Sequence, residues 1–120
     1  MTSHEKGHFL HQAVRYIVGN QIPRAIVECG VWRGGSMLNA AHTLNRLASL
    51  DRELFLFDTF PGMSEPTHRD VHTGKCAPAS DLLKTHSYDS TLWAIASLED
   101  VEEGFRSVEY PMDRVHFVEG

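Results

Sequence analysis

The chain has 120 residues, a formal net charge of −5, 42% hydrophobic residues and 22% charged ones. That length suits one domain. The acidic balance, with no Lys/Arg cluster, leaves no electrostatic footprint for nucleic acid. No apolar run reaches the roughly 18–20 residues of a membrane helix.

In chain order, residues 5–19 read as a helix. Phe9, Leu10, Ala13, Val14, Ile17 and Val18 recur at helical spacing, and Gly19-Asn20 supplies the stop. Pro23 bars further helix in the connector that follows. Ile26 to Cys29 is the first strand. Its run without alternation predicts burial on both faces, as at the centre of a parallel sheet. Ser36 to Leu50 is the second helix, with Met37, Leu38, Ala41, Leu44, Leu47 and Ala48 as its inner face. Leu54 to Asp58 is the second strand, again apolar and again ending on an acid. Strand, helix and strand with short connections imply a right-handed parallel βαβ unit.

Residues 59–90 differ in kind. Pro61, Gly62, Pro66, Gly74 and Pro78 lie among polar residues and His68, His72 and His86. A long irregular segment inside a compact domain is read as a lid or binding loop. A short helix at Ala79 to Lys84 interrupts it, and Thr91 to Ala96 is ambiguous. Leu98 to Val108 reads as a helix, with Ser97 as N-cap and Asp100 completing a capping box. Arg114 to Val118 is the third strand.

The fold class is therefore α/β. We expect a Rossmann-like, three-layer, partial doubly wound parallel sheet, strand order 3-2-1, with helices on both faces. Strand 1 is written for a sheet centre, yet in this order it stands at an edge. The expectation is thus a single, incomplete domain over 1–120, the amino-terminal half of a longer unit. A small protein that hides the edge by oligomerising is the other reading, and a homo-oligomer is expected. The first residues, Met1 to Lys6, lack the charged and apolar regions of a signal peptide. Cys29 and Cys76 share no motif spacing, and Cys29 is expected to be a reduced, buried thiol. A cytoplasmic setting follows.

The chemistry concentrates where the first strand meets its helix. Glu28 is followed by Gly30, then Val31-Trp32-Arg33, then Gly34-Gly35-Ser36. The dinucleotide fingerprint is G-x-G-x-x-G, with an acid about 20 residues on. Here the pattern is G-x-x-x-G-G, and Trp32 takes the place of the glycine that lets backbone approach a pyrophosphate. A nucleoside without phosphates fits better, and S-adenosylmethionine is such a ligand. Its ammonium would meet Glu28. Its carboxylate would meet Arg33, the Ser36 hydroxyl or the helix N-terminus. Asp58, at the end of the second strand, can accept bonds from two ribose hydroxyls. The blander reading is a tight turn whose glycines only permit close helix packing.

The strings Val27 to Ser36, Leu56-Phe57-Asp58-Thr59-Phe60-Pro61-Gly62-Met63 and Tyr110 to Gly120 closely resemble the macrocin/mycinamicin O-methyltransferase family. The resemblance implies a class I, S-adenosylmethionine-dependent enzyme that methylates a hydroxyl of a sugar or natural-product acceptor. It implies that Glu28, Gly30, Val31, Trp32, Arg33, Gly34, Gly35 and Ser36 wrap the methionine and ribose portions. Asp58, with Thr59 beside it, would hold the ribose. It also implies Mg2+, with ligands beyond the third strand, so no metal ligand is assigned here. The usual member of the family is about twice this long, and the present chain alone is expected to be inactive.

No catalytic base is assigned. His68 and His72 stand at i, i+4 around Asp70, a spacing that binds metal on a helix. Pro66 and Gly74 argue against a helix there, and loop residues are the plainer reading. One of the three would serve as base or touch the acceptor if the loop closes over the site. His4, His8, His11 and His42 read as surface residues, His116 as structural, and Trp93 as core. Two alternatives stay open. One is a nicotinamide-dependent oxidoreductase. The other is a non-catalytic remnant that dimerises or binds cofactor.

Overall fold

The computed structural model describes residues 3–60, 62, 64–72, 74, 77–85 and 95–120. The expectations for Pro61, Met63, Cys76, His86 and Trp93, and for most of Thr91 to Ala96, lie outside the described residues.

The elements are α1 (His4–Gly19), β1 (Ile26–Cys29), α2 (Gly35–Arg46), β2 (Leu54–Asp58), β3 (Val71–His72), β4 (Ala77–Pro78), α3 (Ala79–Thr85), α4 (Leu98–Ser107) and β5 (Val115–Glu119). β1, β2 and β5 form a parallel sheet in the order β1-β2-β5, with Glu28 beside Leu56 and Asp58 beside Glu119. This is the Rossmann-like order expected for three successive parallel strands.

Each helix starts and stops for a local reason. Ser3 caps α1, its side chain accepting from the Lys6 N–H, and Ser97 caps α4 by accepting from the Asp100 N–H. α2 begins one residue before Ser36. Gly34, left-handed at φ 72°, is its N-cap. α2 also ends at Arg46 rather than Leu50, because Ala48 turns left-handed at φ 53° and breaks the helical path. The segment after β2 carries an unexpected hairpin, β3 pairing antiparallel with β4. Strands this short show no period in sequence.

The core lies between the sheet and one layer of helices. Leu54, Leu56, Leu44, Phe105, Val101 and Val14 are fully buried there. Phe105 meets Phe117 edge-to-face at 5.8 Å, joining α4 to β5. His11, expected at the surface, bonds the buried Thr43 hydroxyl at 2.9 Å and ties α1 to α2; Thr43 also donates to the Asn39 carbonyl at 2.8 Å.

The sheet's other face corrects an expectation. Burial alternates along β1 and β2, and Val27 is 57% exposed and Phe57 39%. Cys29, expected to be buried, is exposed on the same side. The cause is topological. Both right-handed crossovers advance in one direction, so α2 and α4 share a face. The second helical layer expected from the apolar runs has no counterpart among the described residues.

The family-like segment near the end proves structural. Tyr110 is buried, and its hydroxyl donates to the Arg52 carbonyl at 2.7 Å; burial and nearby Asp51 push its pKa up to about 12. Arg114 and His116 both reach Glu53, and His116 stacks on Phe55 at 4.4 Å. These contacts lock β5 to the entrance of β2, at the end of the sheet away from the glycine turn.

Candidate cofactor site

The site sits at the carboxyl ends of β1 and β2, where open α/β sheets bind ligands. After Cys29 the chain turns left-handed at Gly30 (φ 81°), and the Gly30 N–H donates to the Phe57 carbonyl at 2.8 Å. A Cβ on Gly30 would meet open space, so its conformation alone requires glycine. Gly34 is needed twice over. It has positive φ, and a Cβ there would stand 3.0 Å from Val101 Cγ1. Gly34 thus fits the packing reading of the glycines, and it faces the core rather than the ligand side.

Asp58 holds the turn. Its Oδ2 accepts from the Val31 N–H at 2.5 Å and the Trp32 N–H at 2.7 Å, and its Oδ1 accepts from the Phe60 N–H at 2.8 Å. Trp32 is left-handed at φ 50°, an uncommon conformation for a bulky residue. Burial opposes the charge on Asp58. The N–H bonds from Trp32, Phe60, Val31 and Thr59 outweigh it and hold the pKa below the ordinary value. The acid expected to grip ribose is therefore first a brace for the turn.

Glu28 points from β1 to the start of α2. It takes bonds from the Ser36 hydroxyl and the Met37 N–H. Burial, reinforced by nearby Asp58, raises its pKa despite those bonds. Its Oε2 is buried and has no hydrogen-bond partner. A carboxylate oxygen removed from water without a partner is costly, and it marks a place for a donor.

A cavity of about 510 Å³ is lined by Glu28, Gly30, Val31, Trp32, Arg33, Gly35 and Ser36, together with Lys6 and Leu10 from α1. Arg33 lies with its guanidinium carbon 5.4 Å from the Trp32 ring centre. The contribution of α1 was missed in the sequence. The one available signal was Lys6, a cation in a first helical turn, where the dipole disfavours it.

Thr59 lies elsewhere. Its hydroxyl donates to the Gly62 carbonyl at 2.7 Å, and it lines a second cavity of about 640 Å³ with Glu65, Pro66, Arg69, Asp70, Val71, Leu82 and Leu83. Asp70 accepts from the Thr67 N–H at 2.7 Å and the Thr67 hydroxyl at 2.9 Å, which lowers its pKa. His68 sits in the turn before β3, so the i, i+4 pair does not form a helical face. No cluster of three His, Cys, Asp or Glu suited to a metal occurs among the described residues.

A family model described as macrocin O-methyltransferase matches residues 1–120. The chain belongs to the macrocin O-methyltransferase family. Demethyldecarbamoylnovobiocin O-methyltransferase of Streptomyces niveus is 30% identical over 112 residues, covering 92% of this chain and 39% of that protein. Mycinamicin III 3''-O-methyltransferase of Micromonospora griseorubida is 27% identical over 111 residues, with 92% and 41% covered. The solved O-methyltransferase NovP superposes with a TM-score of 0.69 at 26% identity, over 95% of this chain and 44% of that one. The chain thus spans about two-fifths of the length of the curated relatives it matches. Glu28, with Gly30 to Arg33, Gly35 and Ser36 from the turn after it, lines the 510 Å³ cavity of this family member.

Proposed function

We propose that the protein binds S-adenosylmethionine at the β1–α2 turn and contributes this half-site to methylation of a hydroxyl on a sugar or natural-product acceptor. The observation that carries the reading is Glu28, a carboxylate with an unpartnered oxygen, lining a cavity of about 510 Å³ beside the glycine turn. An ammonium supplies the missing donor; a pyrophosphate would face this carboxylate with like charge. Family membership supports the same choice.

When bound, S-adenosylmethionine supplies an electrophilic methyl on a sulfonium. Glu28 holds the ammonium, and Ser36 and Met37 fix the Glu28 carboxylate from behind. Asp58 fixes Val31 and Trp32, which line the cavity, through their N–H groups. Four N–H groups already fill the roughly four acceptor sites of the Asp58 carboxylate, so its part in the site is to hold the turn. The loop cavity, with apolar Val71, Leu82 and Leu83 beside Arg69, suits an amphipathic acceptor. Orienting the hydroxyl towards the methyl carbon does much of the work in such a displacement. Asp70 lines that cavity, but its bonds to Thr67 make it a poor proton acceptor. We assign no base. The described residues do not fit the Mg2+ that the family suggests, and no step runs through it.

A homo-oligomer and a reducing, cytoplasmic setting belong to the same proposal. The exposed apolar residues Val27 and Phe57 support the first, and the exposed thiol of Cys29 supports the second. No helix among the described residues is long and apolar enough to cross a membrane.

Thermal-shift titration tests the reading. S-adenosylhomocysteine should raise the melting temperature in a saturable way, while NAD should not. A shift with NAD alone would overturn it.

A further inference from the structure

The amino-acid end of the proposed cofactor carries two charges separated by one carbon. Glu28 answers the ammonium. A cation on the same cavity wall is the strongest answer to the α-carboxylate. Two cations line that cavity, Arg33 and Lys6. The Arg33 guanidinium is drawn onto the Trp32 ring, a cation–π contact that holds it to the turn. Lys6 comes from α1, with Leu10 one helical turn on lining the same cavity. The Lys6 side chain is exposed, and among the described residues no carboxylate lies within ion-pair distance of it. It also stands in the first turn of its helix, where a cation opposes the dipole. A side chain placed against its local preference, beside a cavity with a buried acid, is accounted for by an anionic partner.

We propose that Lys6 binds the α-carboxylate of the cofactor's amino-acid end, which makes α1 a cofactor-binding element as well as a packing one. This rests on the S-adenosylmethionine reading above. The pair works as a selector for a zwitterion. Glu28 and Lys6 bracket the amino acid from β1 and α1, and a nucleoside without it engages neither.

The test compares two probes by calorimetry: S-adenosylhomocysteine and 5′-deoxy-5′-methylthioadenosine, which lacks the amino acid. The wild type should bind the first more tightly. Lys6→Met should weaken S-adenosylhomocysteine on the order of tenfold, the scale of one charge-assisted hydrogen bond near solvent. It should leave methylthioadenosine unchanged, and Lys6→Arg should restore most of the loss. Lys6 is exposed, so the variant should melt as the wild type does. Unchanged S-adenosylhomocysteine affinity in Lys6→Met overturns the assignment, and so does an equal loss for both probes, which marks a general distortion. A wild type that binds neither probe overturns the proposed S-adenosylmethionine binding and the assignment with it.

Discussion

Replacing Asp58 by Asn tests the brace under the glycine turn. The change keeps the shape of the side chain and removes its charge. Asp58 Oδ2 takes two N–H bonds, from Val31 and Trp32, and Oδ1 takes the bond from Phe60. Asparagine keeps one acceptor oxygen and presents an NH2 to the remaining donor. The better rotamer serves Val31 and Trp32 and faces the Phe60 N–H with another donor. One charge-assisted bond, worth about 1.5–3 kcal/mol, is lost, and two are weakened. Asp58 is only half-buried, so water recovers part of this. The expected cost is about 2 kcal/mol at pH 7, read from urea midpoints at constant slope. The pH dependence carries the sharper sign. The folded pKa of Asp58 lies below the ordinary value of 3.8, so its stabilisation is complete above that value and fades as pH falls through the folded pKa. The gap between wild type and variant should therefore be full at pH 6 and shrink below about pH 3.8. A loss under about 0.5 kcal/mol, or a gap that ignores pH, would refute the brace.

Gly34→Ala should cost more than Gly30→Ala. Both need positive φ, worth about 1–2 kcal/mol, but Gly34 adds the 3.0 Å approach to Val101 and about 1–3 kcal/mol of overpacking; melting curves of the two variants should rank accordingly. His11→Ala removes one bond to a buried hydroxyl that keeps its Asn39 partner, so about 1 kcal/mol should be lost in the same assay. The raised pKa of Glu28 means that the fold loses stability as pH rises from 4.5 through the folded value, while an ammonium ligand prefers the ionised form. S-adenosylhomocysteine binding should therefore tighten over that window and release protons, measured by calorimetry in buffers of different ionisation enthalpy. Glu28→Gln should bind weakly and flatten that dependence.

The sheet strands and the major helices were legible because apolar period and glycine punctuation write them directly. Ile26 to Cys29 and Leu54 to Asp58 were read to the residue. Which faces those strands bury was not legible, since an unbroken run such as Leu54 to Phe57 shows no alternation. Crossover geometry decides it. The hairpin of Val71 and Pro78 is too short to show a period. The position of Asp58 at a strand end was visible, but its bracing of the turn was not: the N–H groups of Val31 and Trp32 reach it where Gly30 and Trp32 turn left-handed. Lys6 lies far from the turn in sequence and joins the cavity only through the packing of α1 on α2.

The central claim is the proposal that Glu28, lining the cavity, binds an ammonium borne by a nucleoside. Calorimetric titration of the purified protein with S-adenosylhomocysteine tests it most directly, with Glu28→Gln as the paired sample. Saturable binding by the wild type, lost on the order of tenfold or more in the variant, is the predicted result. Equal affinity in the two proteins, or no binding by either, would contradict it.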